Sequence, residues 1–239
     1  MEKLGWRDRR ISPDSGSLFQ TFPNGPETCA HDSGLELVHL RQGEMDGACG
    51  PYSLVMALIM LGAMSRDDAC NLHGHDGRTR EGKFREKLLE FGSLVSGGTD
   101  DMDLCRLAAN FKGFGITCEV LDIARRRKTT VNQIAQAIDL FSVPILKVEW
   151  DKWSAHWVVV VGYQGYQLDE TQELQVTHLL CLDPGSEAPR VSLWNAVIEA
   201  FDEQGQAVNE GHYYCRHWGS TGVVSDCRIS SSLIIERNF

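Results

Sequence analysis

The chain has 239 residues, enough for one large domain or two small ones. Apolar residues make up 42% and charged residues 23%, as in an ordinary soluble globular protein whose core needs no disulfides. The net charge of −10, from 23 Lys+Arg against 33 Asp+Glu, argues against a nucleic-acid partner, because phosphate contacts need a basic surface.

The N-terminus, MEKLGWRDRR, lacks the apolar stretch of a secretory signal, and no apolar run is long enough to span a bilayer. Eight cysteines without regular spacing do not make a disulfide framework, so a reducing compartment is expected. A cytoplasmic protein and a bacterial effector exported without a cleaved signal share these features.

Residues 1–33 are polar and carry SPDSGS and FPNGPET, the composition of an extension lying over a domain that starts at residue 34. Leu35–Leu40 reads as a short strand. The next stretch, QGEMDGACGPYSLVMALIMLG (Gln42–Gly62), dominates the chain. Pro51 suits a first helical turn, Leu54 to Leu61 are all apolar as in a buried helix, and Gly62 is a stop. Cys49 then lies at a helix N-terminus, where peptide dipoles favour a thiolate.

Ser65 and Asp68 form a capping box for a short helix. Phe84, Leu88 and Phe91 mark a second amphipathic helix. Thr99 caps a third, carrying Leu104, Leu107, Ala108 and Phe111. ITCEVLDI, from Ile116, alternates as a strand. The basic run ARRRK (Ala124–Lys128) is a solvated loop or helix end. Thr130 caps a helix carrying Val131, Ile134, Ile138 and Phe141.

Strands follow: Leu146, Val148 and Trp150 alternate, and a turn over Trp153–Ala155 leads into the apolar strand His156–Tyr163. A polar hairpin spans Gln164–Glu173, and Leu174–Leu182 returns to Asp183-Pro184-Gly185. Ser192 opens a helix with Leu193, Val197, Ala200 and Phe201. Tyr213–Trp218 and Ser231–Arg237 are the last strands. Helices first and strands later predict an α+β fold, a helical half packed on an antiparallel sheet.

A thiolate nucleophile needs a base, and the base an orienting partner. Antiparallel pairing of 156–163 with 174–182 brings Asp183 beside His156, whose other ring nitrogen can face Cys49. The Cys49 N–H and the Gln42 side-chain amide are candidate oxyanion donors. Each residue also has a plainer role: Cys49 as core, His156 as a sheet-edge histidine, Gln42 as a surface residue, and Asp183 as turn chemistry.

In the order Gln42, Cys49-Gly50, His156 with WVVVVGY, and Asp183-Pro184, the chain resembles papain-like cysteine peptidases. It is most similar to the leader-peptide-cleaving peptidase domains of bacteriocin exporters and their stand-alone bacterial relatives. The likeness covers about residues 35–190 at the level of motifs and element order. The Gln-to-Cys interval is one residue longer than in those domains, with Asp46 between, and an extra polar hairpin separates His156 from Asp183.

The resemblance implies a papain-like fold and thiol hydrolysis of a peptide bond in a protein or peptide substrate, without a cofactor. It implies Cys49 as nucleophile, His156 as base and acid, Asp183 as orienter and Gln42 as oxyanion donor. The same triad serves a deamidase or a transglutaminase-type acyl transferase, and a catalytically silent peptide-binding module keeps the same look. CNLHGHD, with Cys70, His73, His75 and Asp76, has metal-ligand residue types. Zinc usually takes ligands from two segments, and Cys215/His217 is the only other candidate, so a polar loop is the simpler reading.

Overall fold

The computed structural model describes residues 6–9, 19–22, 24–31, 34–43, 47–91, 98–121, 123, 127–151, 154–166 and 174–238. SPDSGS, Asp46, Ala124–Arg126 of the basic run, Trp153 and residues 167–173 of the polar hairpin lie outside them. In the N-terminal segment, β1 (Trp6–Arg9) pairs with the long strand β7 (Ala155–Tyr166), and β2 (Phe19–Phe22), β3 (Gly25–His31) and β4 (Gly34–Leu37) form a small antiparallel sheet. The helices are α1 (Cys49–Met60), α2 (Arg66–Cys70), α3 (Arg80–Glu90), α4 (Asp101–Ala108) and α5 (Arg127–Asp139). The remaining strands are β5 (Ile116–Leu121), β6 (Val143–Glu149), β8 (Gln175–Leu182), β9 (Ala196–Glu199), β10 (Cys215–Trp218) and β11 (Val224–Arg237).

The expected papain-like α+β fold, a helical half on an antiparallel sheet, is overturned. The strands run β7-β6-β11-β10-β9-β8 and β8 pairs again with β7, so six antiparallel strands close into a barrel in a mixed α/β fold. Two features of the chain produce closure. Ala196–Glu199 is a strand that joins β8 to β10, not the helix expected from Ser192; Ser192 Oγ donates to Trp194 O instead of capping. The spacing of Leu193, Val197 and Ala200 is helical, but pairing with two neighbouring strands overrides it and turns Ala196 and Ile198 to the core. Register shifts also interrupt β7–β8 at Val160/Gly162 and Gln164/Gly165 and β11–β6 at Ile229/Ser231. Such bulges bend and twist long strands into a barrel.

The apolar run of β7 follows from this architecture, since both of its faces are covered. Val158 and Val160 pack in one cluster with Leu146, Leu179, Ile198, Cys215 and Cys227 and with Val131, Ile134 and Ile138 of α5. Trp157, Val159 and Val161 pack on the opposite side with α1, together with Ile145, Leu182 and Leu233. Every α1 residue except Tyr52 is buried, as the apolar run from Leu54 predicts.

Ser65 caps α2 by accepting the Asp68 N–H at 3.0 Å. Two other expected caps differ. Asp100, not Thr99, caps α4 in a reciprocal capping box with Asp103, because a carboxylate answers the N3 amide directly. Thr130 lies inside α5, which starts at Arg127. No helix among the described residues is long and apolar enough to cross a membrane.

Candidate active site

The site sits where α1 begins against the start of β7. Ser53 Oγ donates to Trp157 O at 3.1 Å, and Trp157 Nε1 donates to Thr99 O at 3.1 Å. These bonds tie the first turn of α1, β7 and the approach to α4 together. Gly50 makes the close approach possible. A Cβ there would run into Thr99 Oγ1 and lie 3.1 Å from Leu104 Cδ2 and Trp157 Cδ1, so the helix start could not seat with a larger residue.

Cys49 is thereby held at a helix N-terminus whose N-cap residue, Ala48, supplies no side-chain bond. Its sulfur lies beside the His156 ring and the backbone N–H groups of Trp157 and Gly50. Burial acts to raise its pKa, but the His156 hydrogen bond and charge and the two amides outweigh burial, so the thiol pKa is lowered.

His156 Nε2 donates to Asp183 Oδ1 at 2.6 Å, leaving Nδ1 for Cys49. Burial disfavours the imidazolium, yet the hydrogen bonds to Asp183 and Cys49 raise the His156 pKa to about 9. Asp183 itself is buried. Burial works against its charge, but the bond to His156 and the Gly185 N–H, which donates to Oδ1 at 2.7 Å, hold the carboxyl below its usual range. The three groups thus stand in one line, Cys49–His156–Asp183, with the carboxylate hydrogen-bonded to the ring and the thiol beside it.

β7 and β8 pair antiparallel, with Val159 opposite Leu182, and this brings Asp183 back beside His156. The sequence reading missed what fixes Asp183. Asn195 Oδ1 accepts the Asp183 N–H at 2.6 Å and its Nδ2 donates to Asp183 O at 3.0 Å. His39 Nε2 donates to the same carbonyl at 3.0 Å. His39 left one signal, a polar residue inside LELVHL; Asn195 left none, lying in a segment read as helix.

Gln42 is brought beside the triad by its backbone N–H, which donates to Pro184 O at 2.8 Å. Its Oε1 is buried without a partner among the described residues. Trp150, at the end of β6, lies with its ring centroid 6.2 Å from His156 and 5.4 Å from His217. His217 is a buried second histidine next to the triad, its pKa lowered by burial.

The competing sites carry no such geometry. Burial and the neighbouring Cys227 push the Cys215 thiol pKa up, the reverse of nucleophile activation. The CNLHGHD loop leads into α3: Arg85 donates to the carbonyls of His73 and His75, and Asp76 Oδ1 accepts the Arg78 N–H. Among the described residues no group of three or more His, Cys, Asp or Glu side chains is placed to hold a metal ion. In the basic run, Arg127 lies over the Tyr214 ring at 4.2 Å and donates to Gly211 O. Compared with models of protein families and with curated proteins, the chain matches none.

Proposed function

We propose that the chain is a cysteine peptidase acting on a protein or peptide. The observation that carries the reading is the Cys49–His156–Asp183 line, with a lowered thiol pKa at one end and a buried carboxylate at the other. In this reading the Cys49 thiolate attacks a peptide carbonyl while Asp183 holds the imidazolium in place. The N–H groups at the start of α1 and the Gln42 amide receive the developing oxyanion. His156 then protonates the leaving amine, and water, deprotonated by His156, releases the acyl group from sulfur.

The test is incubation of the purified chain with a peptide library, with fragments, ammonia and cross-linked products read by mass spectrometry. Cleavage lost in Cys49→Ala and His156→Ala is expected, with Gln42→Ala lowering kcat by about 10²-fold or more. Ammonia or cross-links without fragments would make the protein a deamidase or acyl transferase. An unreactive Cys49 in folded protein would leave a peptide-binding module.

A further inference from the structure

A second pair of cysteines lies apart from the triad. Cys105 is on α4 and Cys118 on β5, and the chain between them turns back through Ala109–Phe114 and Gly115, whose φ is 80°. Their Sγ atoms are 2.8 Å apart and both residues are half-buried, so small reagents reach them. Cys215 and Cys227 are also directly opposite each other, on β10 and β11, but are wholly buried in the barrel core. Only the first pair combines contact with access among the described residues.

We infer that Cys105 and Cys118 are a redox-active dithiol, at which an external disulfide such as oxidised glutathione closes a covalent bond between α4 and β5. The Cys105 thiolate attacks one sulfur of glutathione disulfide, forming a mixed disulfide and releasing one glutathione thiol. Cys118 then attacks the Cys105 sulfur and displaces the second glutathione. The two cysteines lose two electrons, the oxidant gains them, and the two thiol protons end on the two glutathiones. Burial and the adjacent Cys105 push the Cys118 thiol pKa up, so ring closure accelerates as pH rises.

The link has a structural consequence. The residue two before α4, Thr99, takes the Trp157 indole and abuts Gly50. Joining α4 to β5 therefore braces the wall against which Cys49 is seated, and shortens the free chain of the unfolded state.

The experiment treats the folded full chain with oxidised glutathione, quenches by alkylation and maps peptides without reduction. The expected product is a 105–118 disulfide, two hydrogens lighter and restored by a phosphine, that also forms in Cys49→Ser and faster at higher pH. Cys105→Ser should form no such link. The urea midpoint of the wild-type protein should rise on oxidation, with no rise in Cys105→Ser. Folded wild-type protein in which both cysteines stay alkylatable, or each keeps its own glutathione, would overturn the inference.

Discussion

Asp183→Asn isolates the electrostatics of the site with little change of shape. The His156 pKa stands at about 9 against an ordinary 6.5, a preference for the imidazolium of about 3 kcal/mol at ~1.36 kcal/mol per pH unit. The hydrogen bond to Asp183 is the leading raising cause, ahead of that to Cys49. An amide in its place can still accept from Nε2 but carries no charge, so the charge-assisted share of that bond and the Coulomb attraction, on the order of 2 kcal/mol, are lost. The thiolate loses its cation in turn. The assay is the iodoacetamide alkylation rate of Cys49 against pH in folded protein, read at the Cys49 peptide. The variant should alkylate about tenfold or more slowly near pH 6 and recover as pH rises, because 1.4 kcal/mol is a factor of ten. An unchanged pH profile in folded Asp183→Asn would refute the claim that the carboxylate holds the pair charged.

Peptidase activity should follow a bell in pH, with the alkaline limb near 9 as His156 loses its proton and the acid limb at the lowered Cys49 pKa. In Cys49→Ala, where the thiol no longer titrates, Asp183 still raises His156. A group whose pKa is raised on folding stabilises fully below its unfolded value, about 6.5, and loses that stabilisation as pH passes its folded value. Urea midpoints of that variant should therefore fall as pH rises above about 6.5, with the fall complete below pH 9 because Cys49 no longer helps to raise His156, and a flat profile there would count against the Asp183–His156 bond. Asn195→Ala leaves the buried Asp183 N–H without its acceptor and should cost about 2 kcal/mol of stability by denaturant titration, with reduced Cys49 reactivity. Gly50→Ala forces a methyl into Thr99 and should destabilise by ~1–3 kcal/mol; the paired change Gly50→Ala with Thr99→Gly should recover part of this loss.

Much of the local chemistry is legible in the chain. The apolar run Leu54–Leu61 reads as a buried helix, and Pro51 in its first turn puts Cys49 at the start, as in the helix Cys49–Met60. The apolar run after His156 reads as a strand of a buried sheet, and the return to Asp183 follows from ordinary antiparallel pairing. Those inferences rest on periodicity and on interactions between residues near in sequence or across one hairpin, which a chain read in one dimension retains.

The remainder depends on contacts between segments distant along the chain. Closure of the barrel depends on bulges and on β9 finding partners in both β8 and β10, pairings whose energy resides in neighbours remote along the chain. The seating of α1 depends on Thr99 meeting the missing side chain of Gly50. Asp183 is held by His39 and Asn195, which are 144 and 12 residues away from it in the chain, and no local pattern marks either as its partner. Side-chain type and period state which groups are available, whereas long-range hydrogen bonds and close contacts select among them, and those exist only once the strands have closed.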